Sequence, residues 1–103
     1  MAYKIFWHSR AREDLRQLYE YISERNLGAA NKMISQIVKR IQLLNANPHM
    51  AAIEPSLIDL SKTYRSLVVG NYKIVYMIED SEIAIICVWD CRQNPAKLFE
   101  FMK

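Results

Sequence analysis

The chain has few residues that interrupt regular structure: its 103 residues include only two glycines, three prolines and two cysteines. No Gly/Ser-rich stretch, internal repeat or linker divides it, and a chain of this length holds one hydrophobic core. Hydrophobic residues make up 51% of the sequence and charged residues 24%, a balance typical of globular proteins and not of disordered ones. We therefore expect a single domain spanning residues 1–103.

Long hydrophobic runs are also missing. The longest, Ile83–Trp89, falls far short of the roughly 20 residues that a membrane helix requires. The N-terminus lacks the charged start, apolar middle and small-residue cleavage site of a signal peptide. The sequence therefore predicts a cytoplasmic protein with no membrane association.

Several kinds of chemical site are absent as well. The sequence has no Gly-rich phosphate loop, no nucleophile–His–acid set and no zinc-ligand spacing, so we expect no metal and no cofactor. Cys87 and Cys91 are only four residues apart, which suits neither a disulfide framework nor a metal cluster and predicts two reduced thiols. The net charge of +3 permits contact with nucleic acid or with an acidic partner but requires neither.

The clearest pattern in the chain runs from Tyr64 to Arg92. It contains three runs of β-branched, aromatic and aliphatic residues, separated by the tight-turn pairs Gly70-Asn71 and Asp80-Ser81. This pattern predicts a three-stranded antiparallel meander. Residues on both sides of the last strand, Ile83–Trp89, are apolar, which indicates a central strand covered above and below.

A strand and two amphipathic helices are predicted before the meander. The aromatic and β-branched run Ala2–His8 favours the strand. Ser9 is expected to cap a first helix that ends near Asn26, and a second helix starts around Ala29. Gly28 is expected to take the left-handed conformation at the corner between the two helices.

These elements predict an α+β fold in the order β-α-α-β-β-β, with the helical hairpin packed on one face of a mainly antiparallel sheet. The C-terminal Pro95–Lys103 has apolar residues at helical spacing and is expected to form a short helix or a packing tail. Residues 49–62 have no clear period, although Leu57–Leu60 is a candidate for a fragment of an edge strand.

The order of elements and several short motifs resemble one known family. Its pattern is matched by Ala-x-x-Asp-Leu on the first helix, by Tyr-Arg before a strand, by a Val-Gly-x-Tyr hairpin and by an arginine after the last strand. The residues concerned are Ala11, Asp14, Leu15, Tyr64, Arg65, Val69–Tyr76 and Arg92. On these features the chain resembles the RelE/ParE superfamily, the toxins of type II toxin–antitoxin systems, over essentially its whole length.

The resemblance implies a toxin that inhibits growth until a cognate antitoxin neutralises it, as in plasmid stabilisation. Members resembling RelE cleave messenger RNA in the ribosomal A site, whereas members resembling ParE poison DNA gyrase. An inactive relative that keeps only the binding function is a third interpretation.

The ribonuclease interpretation requires an acid, a base and positive charge around the phosphate. By resemblance, Lys73 and Arg92 occupy two of the cationic positions of RelE-like nucleases, and Arg65 is a nearby third. These three are the candidate catalytic residues if the protein is a ribonuclease. Each also has a structural interpretation: Lys73 as the solvent-facing side of a strand, and the two arginines as edge charges paired with acids.

The chain departs from the nuclease pattern at other positions. Tyr64 and Ser66 stand where lysines are expected, and Leu98 with Phe99 stands where a C-terminal tyrosine is expected. A complete acid–base pair is therefore missing. This loss favours the ParE-like interpretation, which needs a binding surface and no catalytic set.

A partner surface is predicted on the sheet face that the helical hairpin does not cover. Leu67, Val69, Val75 and Met77 are expected to line it. The resemblance implies that a segment of the antitoxin covers this face, as a helix in a groove or as an added strand, together with the three cationic residues.

Overall fold

The computed structural model describes residues 2–103 and has the predicted order of elements followed by a third helix. The strands are β1 (Lys4–Trp7), β2 (Arg65–Val69), β3 (Tyr72–Glu79) and β4 (Glu82–Asp90), and the helices are α1 (Ser9–Ser23), α2 (Leu27–Leu43) and α3 (Pro95–Met102). A short 3-10 turn, Pro55–Leu57, lies between α2 and β2. The predicted α+β fold is confirmed, and the C-terminal segment is a helix.

The four strands form one sheet in the order β1-β4-β3-β2. The last three strands form the predicted antiparallel meander, and β4 is central. Strand β1 pairs with β4 in parallel, so the sheet is mixed. Both predicted turns contain a residue in the left-handed region, Gly70 with φ 59° and Asp80 with φ 53°.

The larger part of the core lies between the sheet and the helices α1 and α2. Tyr76 is completely buried there, and its hydroxyl donates a hydrogen bond of 2.8 Å to the carbonyl oxygen of Pro48. We call this the helix-side core. Its buried members are Ala11, Leu18, Ile37, Ile41, Leu44, Ala51, Leu67, Val69, Tyr72, Ile74, Tyr76, Ile83, Ile85 and Val88.

A smaller core covers part of the opposite face of the sheet. Helix α3 and the 3-10 turn pack there against the middle of β3 and β4. We call this the α3-side core, and its buried members are Leu57, Val75, Cys87, Trp89 and Leu98. The chain therefore covers part of the face that the sequence analysis left for a partner.

Three local predictions are wrong. His8 and not Ser9 is the N-cap residue of α1, and its side chain makes no capping hydrogen bond. Gly28 lies inside the first turn of α2, because the side chain of Asn26 accepts a 2.9 Å hydrogen bond from the backbone N–H of Ala29 and starts the helix earlier. Residues 57–60 form no strand, and the edge of β2 is bridged by Ile53 instead.

Among residues 2–103, every helix is too short or too polar to cross a membrane.

Candidate functional site

Lys73 lies in the middle of β3 and forms a buried ion pair. It sits on the α3 side of the sheet, directly across from Trp89 on β4 and from Val68 on β2. Its Nζ is 2.9 Å from Oε1 of Glu54, and the two side chains are only 15% and 4% exposed. The positive charge of Lys73 is therefore matched by an internal carboxylate.

Glu54 is held in place by more than its lysine. One carboxylate oxygen accepts hydrogen bonds from the backbone N–H (3.1 Å) and hydroxyl (2.6 Å) of Ser56, and the other accepts one of 2.7 Å from the hydroxyl of Ser66. Burial by itself would raise the pKa of Glu54, but the hydrogen bonds from Ser56, Lys73 and Ser66 outweigh it and bring the pKa to about 2. Glu54 therefore stays ionised at neutral pH.

Arg65, the second predicted cationic residue, is on the other side of the sheet. It pairs with Tyr76 across β2 and β3 and so lies on the face that carries the helices. Its Nη1 donates a 2.7 Å hydrogen bond to the carbonyl oxygen of Ala51. Arg65 thus fastens the segment after α2 to the first residue of β2.

Arg92 follows the end of β4 and pairs with an acid two residues earlier. Its guanidinium donates to both carboxylate oxygens of Asp90, at 2.9 and 2.7 Å. These hydrogen bonds hold the pKa of Asp90 below its ordinary value. Burial raises the pKa of Tyr72, the residue across from Asp90, and the neighbouring Arg92 partly opposes that rise.

The structure does not bring the three cationic side chains together. Lys73 lies across from Trp89, which belongs to the α3-side core. Asp90, which forms the ion pair with Arg92, lies across from Tyr72, which belongs to the helix-side core. Lys73 is therefore on one face of the sheet, and Arg65 and the Asp90–Arg92 pair belong to the other. This arrangement does not concentrate positive charge around one phosphate.

The predicted partner surface is also divided between the two faces. Leu67 and Val69 are 4% and 5% exposed and belong to the helix-side core, whereas Val75 is completely buried in the α3-side core. Met77 is half-buried beside its cross-strand partner Ala84. The prediction that the four share one open face is wrong. The two-residue turn pairs Val69 with Tyr72, so the odd-numbered residues of β2 lie on the same face as Tyr72 and on the face opposite Val75. Their binding role stays a prediction.

Asp14 has a structural role that the sequence analysis did not identify. Its carboxylate accepts a 3.1 Å hydrogen bond from the backbone N–H of Val88 and one of 2.8 Å from Nε of Arg10. Strand β1 ends at Trp7, across from Ile85, so it does not reach Val88. Asp14 therefore replaces the missing strand neighbour, and its place in the Ala-x-x-Asp-Leu motif was the only signal for it.

Two surface recesses flank α1. A polar cleft of about 270 Å³ lies between α1 and the ends of β3 and β4, and Gln17, Tyr21 and Asp90 are among its lining residues. A more open, mostly apolar groove of about 480 Å³ is lined by Trp7, Arg12, Leu15, Arg16, Tyr19 and Ile34. Within the described part of the chain, no three potential metal ligands lie close enough together to hold an ion.

The two thiols differ in their surroundings. Cys87 is completely buried in the α3-side core, and burial raises the pKa of its thiol to about 12. Cys91 is exposed just after β4. Cys87 is thus a protonated core residue at neutral pH.

Comparison with known families identifies the family of this chain. The model of the ParE toxin of the type II toxin–antitoxin system parDE matches residues 5–95, nearly the whole chain. The chain belongs to the ParE toxin family. Its family is therefore that of toxins of type II toxin–antitoxin systems, and the resemblance to the RelE/ParE superfamily is confirmed. No curated protein sequence matches this toxin significantly.

Solved structures share the fold of this toxin at low sequence identity. The chromosomal ParDE toxin–antitoxin system from P. aeruginosa matches with a TM-score of 0.71 and 20% identity, over 86% of this chain and 96% of that one. The toxin–antitoxin complex RelBE2 from Mycobacterium tuberculosis gives 0.62 and 22%, over 87% and 99%. A mutant of the E. coli toxin RelE in the free state gives 0.64 and 18%, over 97% and 93%.

Proposed function

We propose that this chain inhibits bacterial growth by binding DNA gyrase, and that a cognate antitoxin neutralises it in the cytoplasm. Membership of the ParE family supports this proposal, since family members resembling ParE act on gyrase. Two of the structures that share the fold, ParDE and RelBE2, come from toxin–antitoxin systems. They support an antitoxin as the partner of this toxin.

The observation that carries the choice of target is the buried Lys73–Glu54 ion pair. A ribonuclease would need that lysine free to stabilise the phosphate, together with an acid and a base. Here its charge is matched by Glu54, and Arg65 and Arg92 belong to the other face of the sheet. A toxin that acts by binding a protein needs only a complementary surface and is compatible with this arrangement.

The test is a supercoiling assay with purified gyrase and relaxed plasmid. We expect the folded toxin to inhibit supercoiling in a dose-dependent way. The polypeptide encoded by the adjacent reading frame, added in equimolar amount, should restore the activity. Normal supercoiling in the presence of a large excess of folded toxin would exclude gyrase as the target.

The alternative is a ribosome-dependent ribonuclease like RelE, and the shared fold with E. coli RelE keeps it in consideration. Message cleavage on translating ribosomes tests it, with Lys73→Ala and Arg92→Ala as controls. We expect intact message for all three proteins. Cleavage by the unmodified toxin that both substitutions abolish would establish the ribonuclease instead.

A third interpretation is an inactive relative that binds but is not toxic. Expression of the chain alone in a susceptible bacterium tests it, and we expect growth arrest. Normal growth while the folded toxin accumulates would favour the inactive relative.

A further inference from the structure

We propose that the exposed side of α2 binds the phosphate backbone of duplex DNA without regard to base sequence. We call this surface the α2 face, formed by Lys32, Ser35, Gln36, Lys39 and Arg40, all of which are exposed. The inference goes beyond the proposed function, which gives the toxin a protein target and no contact with DNA.

Helix α2 carries the whole positive excess of the chain. The chain has 14 Lys and Arg residues against 11 Asp and Glu residues. Three of the basic residues and none of the acidic ones lie on α2, so the rest of the chain has eleven of each. The net charge of +3 is therefore concentrated along one helix, and a field of this kind attracts polyanions.

The cations of α2 differ from those of α1 in having no acidic partner. On α1, Arg16 pairs with both Glu13 and Glu20. Within residues 2–103, by contrast, no ion pair includes a cation of α2. The charges of α1 are thus largely matched on the helix itself, whereas those of α2 are available to an external anion.

The spacing of the α2 face suits a row of phosphates. Lys32 and Lys39 are seven residues apart, so they lie on the same side of the helix and about 10 Å apart along its axis. Gln36 lies between them, and with Lys39 and Arg40 it lines a recess of about 420 Å³ beside Gly70 of the first hairpin. The exposed residues between the two lysines are a serine and a glutamine, which also donate hydrogen bonds to phosphate oxygens.

The composition of the α2 face favours a nucleic acid over a protein. Protein interfaces have an apolar centre and contain few lysines. The large apolar side chains that are exposed on α2, Leu27 and Leu43, lie at its two ends, and none lies among residues 32–40. An acidic polypeptide on this face would therefore gain charge pairs but no apolar contact at their centre.

The lack of aromatic residues on α2 favours a duplex over a single strand. Single-stranded nucleic acids bind largely through bases that stack on aromatic side chains, and Leu27–Leu43 contains none. A duplex keeps its bases stacked and presents closely spaced phosphates, which match a row of cations and neutral donors. The choice of DNA over RNA rests on the proposed function, because gyrase acts on a DNA duplex.

The experiment measures the binding of the full toxin alone to a short labelled DNA duplex of arbitrary sequence by fluorescence anisotropy. Three contacts with phosphates predict a slope of about −2.7 when the logarithm of the binding constant is plotted against that of the salt concentration. The affinity should therefore fall by roughly 40-fold between about 50 and 200 mM salt. A duplex of a different sequence should bind equally well.

Two variants test the role of charge on the α2 face. Lys32→Gln/Lys39→Gln/Arg40→Gln removes its cations and should bind the duplex at least about tenfold more weakly at low salt, with a slope near zero, because each lost phosphate contact reduces the slope by about one. Lys32→Arg/Lys39→Arg keeps the charges and should bind with the affinity and slope of the unmodified toxin.

A matched control separates the position of the charges from their number. Lys4→Gln/Arg12→Gln/Lys97→Gln also removes three exposed cations, none of them on α2, and lowers the net charge equally. It should keep the slope of the unmodified toxin. Circular dichroism and thermal unfolding check that the substitutions leave the fold intact.

The outcomes separate this inference from the proposed function. No binding of the folded toxin to the duplex at about 100 μM, or equal affinities and slopes for the two glutamine variants, would overturn the inference. Tighter binding of an RNA duplex than of the DNA duplex of the same sequence would make RNA the partner and overturn the assignment to DNA.

Two further results concern the protein partners. If removal of the α2 cations weakened binding of the polypeptide encoded by the adjacent reading frame and left DNA binding unchanged, the α2 face would be a polypeptide site and the inference would be wrong. Normal supercoiling by gyrase in an excess of toxin that binds the duplex through the α2 face would exclude the gyrase target and leave the DNA site standing.

Discussion

At the residue scale, the interaction between Glu54 and Lys73 decides what the middle of the sheet can do. Glu54 is 3% exposed. Each of its oxygens accepts a hydrogen bond from a serine, and Oε1 also contacts the lysine. Removing one partner of a buried ion pair is costly because the other charge is left without compensation. The pair therefore stabilises the connection between the 3-10 turn and β3, and it withholds the lysine from solvent.

The first prediction is that Glu54→Gln lowers the free energy of unfolding at pH 7 by about 3 kcal/mol, since the pKa of Glu54 falls from 4.5 to about 2 on folding. A folded pKa below the unfolded one stabilises the protein above about pH 4.5, and this contribution is lost as the pH falls toward 2. Urea unfolding at pH 7 and pH 3 measures it.

In that experiment the unmodified toxin should lose more stability between the two pH values than Glu54→Gln does. Glu24→Gln, at an exposed position of the turn after α1, is the matched control and should behave like the unmodified toxin. Equal pH dependence for all three proteins would show that Glu54 does not contribute in this way.

At the scale of elements, α1 is fastened to β4 by a hydrogen bond where β1 ends. Asp14 lies on α1 with a side chain that is only 12% exposed, and it accepts from the backbone N–H of Val88. Without it, the N–H of Val88 would lose its acceptor in a part of the sheet where the residue is 8% exposed. An unsatisfied buried N–H costs roughly 1–3 kcal/mol.

The second prediction follows from this contact. Asp14→Ala should lower the free energy of unfolding by roughly 1–3 kcal/mol and speed hydrogen exchange at Val88. Asp14→Asn, which keeps an oxygen that accepts from the same N–H, should cost clearly less. Glu13→Ala, on the exposed side of the same helix, is the control for helix propensity. Equal losses for Asp14→Ala and Glu13→Ala would contradict this role.

At the scale of the whole molecule, two cores share one sheet. Strand β4 contributes Ile83, Ile85 and Val88 to the helix-side core, and Cys87 and Trp89 to the α3-side core. Losing either core would leave one face of the same strand exposed. We therefore expect the domain to unfold as one cooperative unit.

The third prediction uses the two tryptophans as separate reporters. Trp7 packs against the helix-side core, and Trp89 is buried in the α3-side core. Trp7→Phe and Trp89→Phe each leave a single fluorescent reporter. Within each variant, the urea midpoint by fluorescence should coincide with that by far-ultraviolet circular dichroism. An earlier fluorescence midpoint in Trp7→Phe alone would mean that the α3 layer unfolds independently.

The sequence by itself determined the order of elements, the meander and the central position of β4. These features follow from residues that are neighbours in the chain: alternation along a strand, the helical period, and turn pairs such as Gly70-Asn71. The motifs on α1 and in the first hairpin also sufficed to suggest the family. The turn also contained the information about which residues of β2 face the helices, because a two-residue loop pairs Val69 with Tyr72 and so places both on the same face.

Only the tertiary structure decided which charges are free and which faces are open. Asp14 and Val88 lie 74 residues apart in the chain, and Glu54 comes from a segment with no sequence period. The pKa of a carboxylate and the availability of a lysine depend on groups that folding brings within about 3 Å, and short-range patterns carry no information about them.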